Sequence, residues 1–185
     1  CCADLQLPPH VGMVGNPTWG YRGTVDYRGE LSGAVLKLNR DDATCLLNIT
    51  GAVGGTVQGL SLTGDNVGDG IHGIYLGSNN NRREEDSPRI DTCRVVRFTG
   101  NGLHFERPWC FSLRHSMIAF NKGDGLTLGG WDGFILDNWF SGNGGAGIAA
   151  RFYSASYTIT GNRIEWNHDG GIRLHGGCHY NITGN

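Results

Sequence analysis

Long apolar runs are missing from this chain, and so is the 3.6-residue apolar spacing of an amphipathic helix. The first absence argues against a membrane-spanning helix, the second against a helical fold. Charge is scarce: Asp, Glu, Lys and Arg make up 17% of 185 residues and leave a net charge of −2. That balance offers no electrostatic footprint for nucleic acid, and neither nucleic acid nor membrane is expected as a partner. No C-x-x-C or clustered His/Cys spacing points to zinc, and no metal ligand set is expected. A signal-peptide pattern is absent from the start. Glycine is plentiful instead, at 32 residues, a composition suited to short strands joined by tight turns.

The strongest signal is a repeat between Phe111 and Asn185. The motif apolar–x–x–Asn–x–x–x–Gly–apolar occurs at Ile118…Asn121…Gly125–Leu126, Phe140…Asn143…Gly147–Ile148 and Ile164…Asn167…Gly171–Ile172. The asparagines lie 22 and 24 residues apart (143−121, 167−143). A second polar column runs through Ser116, Asn138 and Asn162, and Ile182–Asn185 begins it again. Each period holds three short β-like pieces, in the last one Thr158–Thr160, Arg163–Trp166 and Gly171–Leu174. Alternation within a piece gives one buried and one exposed face. Three strands per period, bent at Asn and Gly, describe coils that stack as a parallel β-helix, with equivalent asparagines bonded in ladders.

The pattern resembles the right-handed parallel β-helix of the pectate lyase-like superfamily. The resemblance covers most of the chain and is one of fold: all-β, about six coils plus the start of another. The paired-Asp and Gly-His-Gly signatures of polygalacturonases and the Trp-Ile-Asp-His signature of pectate lyases do not occur. Residues 1–185 read as a single domain and as a piece of a longer protein. Within it, 1–45 form an irregular first coil, 46–88 a coil with long insertions, and 89–185 regular coils. Val11–Val14 and Thr24–Tyr27 read as strands, Asn16–Tyr21 as an aromatic loop, and Ala34–Leu38 as a third strand. The inserted coil is expected to run Leu46–Thr50, Leu60–Thr63 and Gly73–Leu76, with Ile74–Tyr75–Leu76 matching Leu126–Thr127–Leu128. Its insertions are Gly64–His72 and Gly77–Pro88, the second holding Arg82, Arg83, Glu84, Glu85 and Asp86.

The six cysteines read as packed thiols. Cys110 and Cys178 fall in roughly the same column but stand about three coils, or about 14 Å, apart, beyond disulfide reach. No cofactor is expected; calcium at Asp65 and Asp69 is the one candidate, without the ordered ligand pattern of an EF-hand loop.

Insertions in a solenoid concentrate on its binding face, and two of the loops here, Gly77–Pro88 and Glu106–Cys110, follow third strands. Outward columns at that edge run His104, Thr127, Ala149, Arg173 and Glu106, Gly129, Arg151, His175. Arg107, Trp109, Trp131, Asp132, Phe152 and Tyr153 flank them. Arginines suit carboxylate or sulfate recognition, and flat aromatics suit the apolar faces of sugars. Small residues between the larger ones suggest an open floor for a sugar chain. Glu106, Asp132 and His175 are the expected catalytic groups. His104, Arg107, Trp109, Trp131, Arg151, Tyr153 and Arg173 are the expected substrate contacts. With Glu106 and Asp132 one coil apart, about 4.8 Å, a retaining hydrolase is one expectation and a lyase using His or Arg the other. Glu165, His168 and Asp169 form a second, lower-ranked cluster, and His115 with Asp137 an expected ion pair.

The first functional reading is therefore a secreted or surface-located enzyme cleaving a polysaccharide or oligosaccharide. The alternative is a non-catalytic saccharide-binding or structural β-helix, such as part of a trimeric phage tailspike or surface adhesin on a cell or virion, with a homotrimer as its implied assembly. Fold alone does not decide between them.

Overall fold

The computed structural model describes residues 3–16, 33–78 and 85–185. Cys1–Cys2, the strand expected at Thr24–Tyr27, most of the aromatic loop, and Arg82, Arg83 and Glu84 lie outside the described residues. Among those described, every named strand pairs in parallel and none is helical.

The strands form three sheets that run the length of the molecule. The first sheet holds Gly12–Val14, Thr56–Gln58, Arg89–Asp91, Ser112–Arg114, Phe134–Leu136, Thr158–Thr160 and Asn181–Thr183. The middle sheet holds Val35–Lys37, Ser61–Thr63, Arg94–Val96, Met117–Ala119, Trp139–Ser141 and Arg163–Glu165. The third holds Leu5–Gln6, Cys45–Asn48, His72–Leu76, Leu103–Phe105, Leu126–Trp131, Ile148–Ala155 and Ile172–Leu174. Taking one strand from each sheet in chain order gives six full coils, preceded by a third strand and followed by a first.

Register explains the core. Val95, Ile118, Phe140 and Ile164 face one another along the middle sheet. Ile90, Leu113, Ile135 and Ile159 do so along the first. Like residues therefore stack on like, and all of these except Ile164 are essentially inaccessible to water. Gly133 shows how tight the filling is: a Cβ there would lie 2.2 Å from Tyr157 Cε1 and 2.7 Å from Phe111 Cε1.

Two corners hold the ladders. Between first and middle strands, Thr92, His115, Asp137, Gly161 and Gly184 all have positive φ, as Arg97, Phe120, Gly142 and Trp166 do between middle and third. Non-glycine residues resist that conformation, so something must hold each corner. From His115 onward the residue that follows does so, Ser116 once and an asparagine at every other corner of these two columns. Asn143 Nδ2 donates to Ile118 O at 3.1 Å and to Asn167 Oδ1 at 2.8 Å, while its Oδ1 accepts Asn121 Nδ2 at 3.0 Å. At the other corner Asn138 donates to Asn162 Oδ1 at 3.0 Å, and Asn162 to Asn185 Oδ1 at 2.8 Å. Both expected ladders are present.

The frame before residue 89 differs from expectation. Val35–Lys37 pairs with Ser61–Thr63 and so is a middle strand rather than a third. Cys45–Asn48 pairs with His72–Leu76 and closes the coil before it. Thr56–Gln58, unmarked in the sequence reading, supplies the missing first strand. His115 Nδ1 meets Asp91 Oδ1 at 2.9 Å rather than Asp137. Cys178 aligns with Ala155 and, through Trp131, with Trp109, one position before Cys110, so the two cysteines occupy neighbouring columns rather than the same one. Cys45, Cys93, Cys110 and Cys178 are free thiols, the first two buried. Asp65 is engaged by Lys37 at 2.6 Å and Arg97 at 3.7 Å, and no group of three or more His, Cys, Asp or Glu that could hold a metal occurs among the described residues.

Candidate functional site on the third sheet

The first outward column of the third sheet is the one the repeat implies, while the register shifts within the Glu106, Gly129, Arg151, His175 column. Tyr75 pairs with His104, His104 with Thr127, Thr127 with Ala149, and Ala149 with Arg173. Tyr75 therefore belongs to the His104 column, a place its match to Thr127 already indicated. His72, two residues earlier on the same strand, stacks on His104 with ring centroids 4.4 Å apart. Tyr75, on the same strand as His72 and 6.2 Å from it, stacks on His104 at 5.6 Å, and Phe152 meets His104 edge-on at 5.7 Å.

Glu106 follows this stack and is the convergence point of its donors. Tyr75 donates its hydroxyl to Oε1 at 2.9 Å, the Ser78 amide donates to Oε2 at 2.9 Å, and His104 Nε2 stands 3.7 Å from Oε1. Burial would raise the Glu106 carboxyl, but the Tyr75 and Ser78 hydrogen bonds outweigh it and hold it below its ordinary value. Burial, together with the Glu106 hydrogen bond, pushes the Tyr75 phenol up to about 12.

Asn101 sets the histidine tautomers. Its backbone N–H donates to His72 Nδ1 at 2.9 Å, and its Oδ1 accepts the Asp124 amide at 2.8 Å. That acceptor role fixes the amide orientation, so Nδ2 is the atom donating to His104 Nδ1 at 2.8 Å. Neutral His104 accordingly carries its proton on Nε2, toward Glu106. Burial holds both imidazoles below the ordinary histidine value, His72 at about 4.

Asp124 was not singled out in the sequence and is the most committed polar group here. It is 2% exposed. Arg151 grips it from the next coil, Nε to Oδ2 at 2.5 Å and Nη2 to Oδ1 at 2.8 Å. Thr127 Oγ1 at 2.7 Å and the Ala146 amide at 2.9 Å complete its shell. Burial raises the Asp124 carboxyl, and the Arg151, Thr127 and Ala146 bonds more than reverse that. The signal was a carboxylate where the next coil has Ala146, with a long cation one coil on.

This pair corrects the expected open floor. Thr127, Gly129 and Ala149 are buried, with Arg151 turned back to Asp124 and Phe152 close over Gly129. The chain at Arg151–Tyr153 carries two extra residues relative to its neighbour strand, which makes room for that cover.

The remaining expected residues fall into two further groups. Trp109 Nε1 donates to Asp132 Oδ2 at 3.0 Å, and Trp131 lies 6.5 Å from Trp109 and 6.4 Å from Tyr153 between ring centroids. Arg107 sits 5.1 Å over the Trp131 ring. Arg173 pairs with Asp169 at 3.3 Å, and His175 is exposed beside it on the last coil. Glu106 is level with Gly129, and Asp132 with Cys110, so Glu106 and Asp132 are on the order of 10 Å apart. His175 is about three coils, or about 14 Å, from Glu106. The three expected catalytic groups are thus spread along the face.

A three-sheet parallel solenoid with side-chain ladders inside and a polar–aromatic outer face defines the class of protein. Residues 47–185 match the family model of the right-handed β-helix region, and the chain belongs to that family. No curated protein and no solved structure matches it.

Proposed function

We propose that the third-sheet face binds a saccharide chain and cleaves it, with Glu106 as the proton acceptor and Tyr75 and His104 as the donors beside it. The observation that carries this reading is the convergence of Tyr75, Ser78 and His104 on one ionised, half-buried carboxylate. The aromatic group of Trp109, Trp131 and Tyr153 lies further along the same sheet and offers flat surfaces to sugar rings. Hydrolysis by paired carboxylates fits less well, because Asp124 is buried in its arginine pair and Asp132 stands well along the strand. Elimination from a uronate needs one base, one acid and no second carboxylate. In that reaction Glu106 takes the proton next to the sugar carboxylate, the bond to the leaving oxygen breaks, and Tyr75 supplies the proton to that oxygen.

The second reading, saccharide binding without cleavage, is favoured by one feature: both Glu106 oxygens already hold hydrogen bonds. Incubation with neutral and uronate-containing polysaccharides separates the readings. Unsaturated product supports elimination, new reducing ends without unsaturation support hydrolysis, and retention on the polymer with neither supports binding alone. Glu106→Gln and Tyr75→Phe should abolish whichever product appears.

A further inference from the structure

The middle sheet presents a separate outer face. Ser61, Arg94, Met117, Trp139 and Arg163 form one outward column, and Lys37, Thr63, Val96, Ala119, Ser141 and Glu165 the next. At the far end of the first column Arg163 is satisfied, by Glu165 at 3.0 Å and by the Trp139 ring at 5.0 Å. Arg94 differs. Its Nε is buried and makes no hydrogen bond, and no carboxylate pairs with it among the described residues.

Its neighbourhood is cationic. Arg97 stands three residues on, close enough that its charge opposes that of Arg94, after burial the second influence lowering the Arg94 guanidinium. Lys37 and Arg97 both draw on Asp65. Two hydroxyls adjoin: Ser61 pairs directly with Arg94, and Thr63 with Val96. A half-buried guanidinium beside another cation, with a buried donor left over, is unfavourable until an anion arrives. Guanidinium forks match the geometry of tetrahedral and planar oxyanions.

We propose that Arg94 and Arg97, flanked by Lys37 and the Ser61 and Thr63 hydroxyls, form an oxyanion site on the middle sheet. Its ligand is a sulfate, phosphate or carboxylate group, free or borne on an acidic saccharide. The site uses none of the groups on the third-sheet face and stands whether or not that face cleaves anything.

The test is an Arg94 Nε–Hε resonance followed by NMR during titration with sodium sulfate, against sodium chloride at matched ionic strength. Sulfate should move that resonance saturably and raise the melting temperature; chloride should do neither. Arg94→Gln should remove the thermal shift, Arg94→Lys should weaken it, and Arg163→Gln should leave it intact. A sulfated oligosaccharide binding at least tenfold tighter than inorganic sulfate identifies a saccharide-borne group; equal affinity identifies the free anion. An unmoved Arg94 resonance in the wild-type chain overturns the proposal, as does a thermal shift that survives Arg94→Gln. The resonance decides the matter even if the variants fail to fold.

Discussion

Asn101 Nδ2 donates to His104 Nδ1 across 2.8 Å, while the backbone N–H of the same residue donates to His72 Nδ1 across 2.9 Å. One asparagine thus holds two stacked imidazoles as acceptors. A proton added at either Nδ1 would replace an acceptor with a donor facing a donor. Replacing Asn101 by Ala removes the side-chain donor and leaves the backbone donor in place. The His104 pKa should therefore rise toward the ordinary value of about 6.5, and that of His72 much less. Histidine side-chain NMR titration reads both. Equal movement of the two would show that burial, and not the amide, holds the His104 value down.

The same pair makes stability depend on pH. Both histidines have folded values below the unfolded one, so the unfolded chain binds more protons. Their contribution is full above about pH 6.5 and is lost as the pH falls through the folded values, for His72 through about 4. Urea unfolding across that window should show a declining midpoint. His72→Gln should flatten part of the decline.

Asp124 adds a second pH dependence. Its folded value is depressed, so its contribution is present above about pH 3.9 and disappears only as pH falls further, through the folded value. Removing one partner of a fully buried pair costs about 3–5 kcal/mol. Arg151 has a side chain 39% exposed, which reduces that figure, so Asp124→Asn should cost about 2–3 kcal/mol at pH 7. The loss should shrink in acid. A pH-independent loss would mean that the Thr127 and Ala146 bonds, not the charge, are what matter.

The regular coils were legible because, from Phe120 onward, a ladder asparagine follows the left-handed residue at two of the three corners. Asn121, Asn143 and Asn167 announced one corner; Asn138, Asn162 and Asn185 the other. Before residue 89 the same corners carry Gly59, Gly64 or Leu60, which bear no ladder amide, and long loops break the period. Thr56–Gln58 has one inward apolar residue, Val57, too little to mark a strand. The His104 column of the third sheet was legible, because it follows from register alone. What Arg151 does was not: its guanidinium reaches back to Asp124 across a coil, a choice governed by charge rather than period. The open floor failed for that reason.

The ladder should carry measurable stability. Asn143→Ala removes four hydrogen bonds and strands the Ile118 carbonyl and the Asn121 amide groups in the interior. A loss of about 1–3 kcal/mol is expected for buried partners left unsatisfied. Gly133→Ala should cost a comparable about 1–3 kcal/mol by overpacking against Tyr157 and Phe111. Chemical denaturation measures both. Because the two sites sit at different corners, their losses should add in the double variant; a clear departure would reveal coupling through the core.

The saccharide reading makes its sharpest prediction by splitting binding from turnover. Trp131 lies between Trp109 and Tyr153, well along the sheet from Glu106, so it can hold a sugar ring without touching the reacting bond. Trp131→Ala should weaken oligosaccharide binding about tenfold, the loss of one stacked ring, and leave kcat within about a factor of two. Glu106→Gln preserves the shape of the side chain and can still accept from Tyr75 through its amide oxygen, but it cannot take a proton. It should lower kcat by about 10²–10⁴-fold with KM little changed. Tryptophan fluorescence follows binding and product absorbance follows turnover, in the same samples. If Glu106→Gln turned over normally while Trp131→Ala lost affinity, the face would bind sugar there and react elsewhere. If both variants matched the wild-type chain, the face would have no saccharide role.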